Sequence, residues 1–148
     1  HLSLPRQQGK TELCKVMILA HLYLFGTKSI GMMSANREGC AQTFREIHWI
    51  IQANSTLMAK WDKTYLSNGM QRMQFKDGGS IVVLAATDAA PRGRSIELFV
   101  VDELLNVDEA AWAAANFTTI AKPNAVVLTA SSAGHKGSTV LNQMRDKH

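Results

Sequence analysis

Three apolar runs in this chain show almost no polar alternation: Ser29–Ser34, Glu97–Val101 and Ala125–Thr129. A strand with one wet face alternates apolar and polar residues. A strand buried on both faces does not. Strands of the second kind belong to parallel sheets covered by helices, and here they alternate with longer stretches of helical periodicity. The expected fold class is therefore α/β, a mainly parallel sheet flanked by helices, in a single domain over 1–148. A length of 148 residues suffices to bury such a core.

The remaining elements follow from local signals. His1–Leu4 reads as the end of a strand, and Thr11 to about Phe25 as a helix apolar on most faces and therefore buried. Arg37 to about Lys60 carries Cys40, Phe44, Ile47, Ile51 and Met58 close to helical spacing. Gln71–Phe75 and Ser80–Ala86 flank Asp77-Gly78-Gly79 and read as a hairpin. Asp108 is placed to N-cap a helix running to about Thr119. A last helix is expected from Ser138 to the end. So few residues precede the first motif that the first strand reads as cut short, and the chain as a fragment of a longer protein.

Composition excludes several classes. With 46% apolar and 19% charged residues, the chain is neither a disordered tail nor a coiled coil. Val16 to Phe25 is too short to span a bilayer and contains His21, and no cleavage-site layout follows it, so no membrane partner is expected. Cys14 and Cys40 lack metal-ligand spacing and form no disulfide framework, which points to a reducing, intracellular setting. The net charge of +4 permits a nucleic-acid partner without demanding one. The basic excess lies in residues 1–74, where the first motif also lies.

That motif is Leu4-Pro5-Arg6-Gln7-Gln8-Gly9-Lys10-Thr11, between a strand and a helix. Its ending is that of a phosphate loop. Gly9 lets backbone approach phosphates, and the N–H groups at the helix start face an anion. Lys10 would reach the β- and γ-phosphates, and the Thr11 hydroxyl would ligate Mg²⁺. Leu4 stands where the usual first glycine of such a loop would be. Alone, the segment also reads as a helix N-terminus with a solvated lysine.

The second motif is Leu98-Phe99-Val100-Val101-Asp102-Glu103, an apolar strand ending in two acids, as in a Walker B segment. Asp102 would hold the Mg²⁺ shell, and Glu103 would orient and deprotonate the attacking water. Ligands of open α/β sheets bind at these strand ends. Read alone, Asp102 also serves as the start of a turn. A third apolar strand ends in Thr129-Ala130-Ser131-Ser132, whose hydroxyls would bond the γ-phosphate or the water; a serine-rich turn is the plainer reading. Arg6 lies inside the loop. Arg92 and Arg94 precede the acid-ending strand, where they supply transition-state charge, contact DNA phosphates or simply face solvent.

Together these segments resemble the large terminase subunits of tailed bacteriophages. Leu4–Thr11 is similar to that family's deviant Walker A, with an arginine before the last glycine. Arg92-Gly93 and Phe99–Glu103 are similar to its Arg-Gly segment and Walker B, and Thr129–Ser132 to its coupling motif. The resemblance implies a RecA-like P-loop NTPase fold of the additional-strand, catalytic-glutamate type, with a strand between the two Walker strands. It implies an ATP- and Mg²⁺-dependent motor that drives double-stranded DNA into a procapsid. The motor would work as a homo-oligomeric ring on a portal protein, with a small terminase subunit, in the cytoplasm of a host cell.

By the same resemblance, Arg6, Gln7, Gln8, Gly9, Lys10, Thr11 and Ser131 bind the nucleotide. Thr11 and Asp102 hold the metal, Glu103 is the base, and Arg6 and Arg92 supply catalytic charge, Arg92 as arginine finger. The family's upstream adenine-binding segment and downstream nuclease domain are absent, so the chain is expected to bind nucleotide weakly, to associate through an apolar edge and not to cut DNA. Rival readings are another DNA translocase or helicase core, a nucleotide-binding switch without turnover, and a nucleoside kinase. The kinase would need a lid and an acceptor site, and neither is evident.

The remaining polar and aromatic residues read as structural. His1, His21, His48, His135 and His148 have no ligand spacing. Trp49, Trp61 and Trp112 read as packing residues and the methionines as core filler. Lys60, Lys63, Arg72 and Lys76 fit no single helical face and read as solvated rather than as a DNA-facing stripe.

Overall fold

The computed structural model describes residues 2–3, 9–67, 70–84, 95–120, 122–132 and 140. Strands are β1 (Leu2–Ser3), β2 (Ser29–Ser34), β3 (Trp61–Ser67), β4 (Met70–Phe75), β5 (Ser80–Val83), β6 (Leu98–Asp102) and β7 (Val126–Ser131). Helices are α1 (Lys10–Tyr23), α2 (Arg37–Gln52), α3 (Ser55–Met58) and α4 (Glu109–Ile120), with a 3₁₀ turn over Leu104–Asn106.

The strands form one sheet in the order β1-β7-β6-β2-β5-β4-β3. The pairings from β1 through β5 are parallel; β4 and β3 are added antiparallel at one end. The α/β fold expected from the apolar runs is present. One strand, β7, separates β1 from β6.

Strand geometry sorts the apolar runs between two cores, because successive side chains point to opposite faces. Ile30, Met32, Ile81, Leu98 and Val100 join Cys14, Ile18 and Leu22 of α1 and Phe44, Ile47 and Ile51 of α2. Met33, Val82, Phe99 and Val101 join Leu104, Val107 and Ala111 at the other face, where α4 lies. Both faces are therefore covered, which is why the runs do not alternate.

Local chemistry sets the turns. Asn36 N-caps α2 by accepting from the Gly39 N–H at 3.2 Å, and Asp108 accepts from the Ala111 N–H at 2.8 Å. In the hairpin, Gly78 takes φ +87°, and Asp77 Oδ1 accepts from the Gly79 N–H at 2.9 Å. The Asp77 carboxylate also meets Lys28 Nζ and Lys60 Nζ, each at 2.8 Å. Burial alone would raise its pKa; these lysines and the Gly79 N–H outweigh that and hold it well below the usual range.

Several expectations are corrected. The helix expected over Arg37–Lys60 stops at Gln52, because the Asn54 side chain accepts from the N–H groups of Thr56 and Leu57 and starts α3. Trp61–Ser67 is an unforeseen strand. It lies at the sheet edge, largely exposed, so it carries no apolar pattern. Helix α1 is not buried all round: Leu13 and Val16 are exposed, whereas Lys15 is buried. Trp49 is 60% exposed instead of packed. Of Lys60, Lys63, Arg72 and Lys76, read as solvated, Lys60 is instead engaged: its Nζ donates to the Leu22 carbonyl at 2.7 Å and meets Asp77 at 2.8 Å, beside a β-hairpin that explains why no helical spacing fits. Apart from Val140, the last helix, expected from Ser138 to the end, lies outside the described residues. Among the described residues, no helix is long and apolar enough to cross a membrane.

Candidate functional site

Gly9 precedes α1 with φ +73°, a left-handed conformation that favours glycine. Among the described residues, no side chain caps this helix start. Thr11, in the first turn, donates its hydroxyl hydrogen to Asp102 Oδ2 at 2.9 Å. Asp102 ends β6, and its Oδ1 accepts from the Glu103 N–H at 2.9 Å. One carboxylate thus ties the start of α1 to the exit of β6.

Glu103 follows with φ 54° and ψ 42°, the one non-glycine residue with positive φ among the described residues. That conformation costs a non-glycine residue about 1–2 kcal/mol. It turns the chain sharply at the strand end, and the side chain is exposed there. Strain of this kind concentrates at functional sites.

Asp102 and Glu103 open onto a cleft of about 200 Å³, also lined by Thr11, Ser34, Asn36, Gln42, Thr43 and Glu46. The Thr11 hydroxyl and Asp102 carboxylate are hard oxygen donors side by side. Mg²⁺ takes one or two such protein oxygens and completes its shell with water and phosphate, so the donor set fits that ion. Among the described residues, no cluster of three or more His, Cys, Asp or Glu side chains offers a different metal site.

Beneath the cleft, Cys14, Cys40 and Asp102 share the lining of a smaller cavity of about 20 Å³. Burial, then the nearby Asp102 charge, pushes both thiols up to about 12. They are unreactive neighbours of the site, with no nucleophile's environment.

Of the residues expected to form the site, Thr11, Asp102 and Glu103 come together at the cleft, with Gly9 and Lys10 at the adjoining helix start. Ser131 is fully buried at the end of β7, where its hydroxyl donates to the Ser132 carbonyl at 2.9 Å; it is not part of the cleft lining. Arg6, Gln7, Gln8, Arg92 and Arg94 lie outside the described residues.

Sequence reasoning did not foresee the wall formed by β2 and α2. Ser34 pairs in register with Asp102, which carries Ser34, Asn36 and the first turns of α2 to the cleft. A usable signal existed: Ser34-Ala35-Asn36 is a small polar exit from an apolar strand, like Thr129–Ser132. Only the adjacency of β2 to β6 gives that signal its meaning.

No family model matches this chain, and no curated protein matches it. Solved structures do. The chain is similar to HK97 bacteriophage large terminase, with a TM-score of 0.84 and 22% identity over 99% of this chain and 31% of that one. It is similar to the Thermus phage P74-26 large terminase ATPase domain, with a TM-score of 0.70 and 15% identity over 93% of this chain and 61% of that one. It is also similar to the large terminase of a thermophilic bacteriophage in complex with ADP, with a TM-score of 0.62 and 11% identity over 88% of this chain and 32% of that one. At these identities the likeness is one of fold: the chain has the fold of the matched part of these large terminases and spans less than two thirds of each of these chains.

Proposed function

We propose that this chain is the ATP-hydrolysing core of a viral DNA-packaging motor, of the RecA-like P-loop type with a catalytic glutamate. The observation that carries the reading is the Thr11–Asp102 hydrogen bond at 2.9 Å. It joins a Gly-Lys-Thr helix start to an apolar strand ending in Asp-Glu, inside a terminase fold. The strand order supports it too, since one strand separates the two site-bearing strands.

In this reading Gly9 and the first N–H groups of α1 receive the phosphates, and Lys10 adds positive charge at the β- and γ-phosphates. Thr11 and Asp102 would hold Mg²⁺, which when bound neutralises phosphate charge. Glu103 is the base. It takes a proton from water while the water oxygen bonds to the γ-phosphorus. The bond from that phosphorus to the bridging oxygen breaks, and its electron pair leaves with ADP. The exposed, strained position of Glu103 beside Asp102 favours turnover over a non-hydrolysing switch.

Arg6, Gln7 and Gln8 complete the phosphate loop in this proposal, and Arg92 is the arginine finger. Double-stranded DNA is the cargo, moved in the host cytoplasm by a ring of copies on a portal protein with a small terminase subunit.

The test is Mg²⁺-dependent ATP hydrolysis at rising protein concentration, in this chain and in any longer chain containing it. Lys10→Ala and Glu103→Gln are run alongside. Turnover abolished by both substitutions supports the reading, and a steep rise of specific activity with concentration supports an arginine supplied by a neighbour. ATP binding without turnover in either chain refutes hydrolysis.

A further inference from the structure

Among the described residues, Lys15 is the buried charged side chain that the proposed chemistry does not use. Its side chain is 8% exposed, and its Nζ contacts Glu12 of its own helix and Glu46 of α2, the latter at 2.8 Å. Glu46 is 29% exposed and Glu12 72%, so the pair is partly solvated and adds little stability, while the lysine stem is buried enough for an apolar residue to replace it. What such a pair does well is fix orientation. Here it fixes Glu46, which lines the same cleft as Asp102 and Glu103.

The chain of contacts continues. Glu46 Oε1 accepts from Gln42 Nε2 at 3.0 Å, one helical turn earlier on α2, and Gln42 also lines the cleft. An ionised carboxylate only accepts hydrogen bonds, so the amide group of Gln42 must turn its nitrogen toward Glu46. Its oxygen is then directed away from Glu46, and no described residue engages it. A carbonyl oxygen is repelled by phosphate and accepts from water.

We propose that Gln42 is a catalytic residue that accepts a hydrogen bond from the attacking water, and that Lys15 and Glu46 are positioning residues that hold its oxygen in the cleft. The inference rests on the hydrolytic reading of the site. Glu103 removes one proton of the water, and Gln42 holds the other, so the oxygen lone pair faces the γ-phosphorus. No proton moves to Gln42.

The experiment measures kcat and KM for ATP, ADP binding and melting temperature for Gln42→Ala, Glu46→Gln and Lys15→Met, in the preparation whose wild type hydrolyses ATP. Gln42→Ala is expected to lower kcat roughly tenfold or more, because a misoriented water loses most of the benefit of positioning. Its KM and ADP affinity stay within about twofold, because the group does not touch the ground-state nucleotide. Glu46→Gln, which frees the amide to turn over, follows it. Lys15→Met lowers kcat while melting at or above the wild-type temperature, a split that a merely structural lysine would not produce. If Lys15→Met does not fold, Glu46→Gln carries the positioning test. Wild-type kcat in Gln42→Ala, or a fall in ADP affinity equal to the fall in kcat, overturns the inference and leaves the hydrolytic reading standing. A wild type that neither hydrolyses nor binds ATP overturns both.

Discussion

Thr11 Oγ1 lies 2.9 Å from Asp102 Oδ2, although 91 positions separate the two residues along the chain. The bond spans the gap between α1 and β6. It gathers two hard oxygen donors at the mouth of a cleft, and the chemistry proposed for this chain starts from that meeting.

Thr11→Val removes the hydroxyl and keeps the shape. It is expected to cost about 1 kcal/mol of stability through the lost hydrogen bond. Mg²⁺-dependent nucleotide binding should fall far more than stability does. Thr11→Ser should restore both. Denaturant melts and titration with a fluorescent ATP analogue, with and without Mg²⁺, check the contrast.

Glu103 holds φ 54° at the cost expected of a non-glycine residue. Glu103→Gly should therefore stabilise the fold by about 1 kcal/mol while abolishing hydrolysis. Glu103→Gln should leave stability unchanged and abolish hydrolysis equally. A glycine variant that melts lower than the glutamine variant would show that the turn is not strained.

Asp77 binds Lys28, Lys60 and the Gly79 N–H, and these hold its pKa below the ordinary value of 3.8. A depressed folded-state pKa adds stability that is fully present above the unfolded value and is lost as pH falls below it. Asp77→Asn keeps the turn oxygen but not the charge. It should melt lower than wild type at pH 7, with the gap closing below about pH 4. Added salt should narrow the neutral-pH gap as well, since these groups are partly exposed.

Gly31 sits mid-strand in β2, where an added Cβ would meet Phe99 Cδ2 at 3.1 Å, Leu84 Cδ1 at 3.2 Å and Ile96 Cδ1 at 3.4 Å. All three neighbours are buried, and the nearer two must shift by a few tenths of an ångström. Gly31→Ala is expected to destabilise by about 1–3 kcal/mol through overpacking. Urea unfolding with an unchanged slope would confirm a native-state effect.

Cys14 and Cys40 should resist a thiol-reactive chromogenic reagent in the folded chain, since burial shuts out the reagent and keeps both as thiols. Both should react at once in denaturant. Rapid labelling of either under native conditions would mean that the α1–α2 face opens readily.

Much of this molecule is written locally. The bounds of β2, the cap at Asp108 and the turn at Asp77-Gly78-Gly79 depend on side chains within a few residues of one another. So does the potential of Gly9-Lys10-Thr11 and of Asp102-Glu103 for phosphate and water chemistry. A reader of the sequence sees these because apolar runs, caps and turn glycines act over short range.

Other features had no local signature. Strand β3 is mostly exposed at the sheet edge and shows no apolar pattern, so only pairing with β4 reveals it. Asn54 ends α2 through its own side chain, within a stretch whose apolar spacing still reads as helix. Lys15 looks like a solvent-facing lysine until α2 brings Glu46 to it.

The residue types able to do the chemistry were thus set by the sequence alone, because hydroxyl, carboxylate and glycine carry their chemistry wherever they stand. Which of them meet was decided by strand order. Placing β2 beside β6 puts Ser34 next to Asp102 and swings α2, with Gln42 and Glu46, over the cleft. That adjacency arises because distant segments bury their apolar faces together, and no local pattern encodes it.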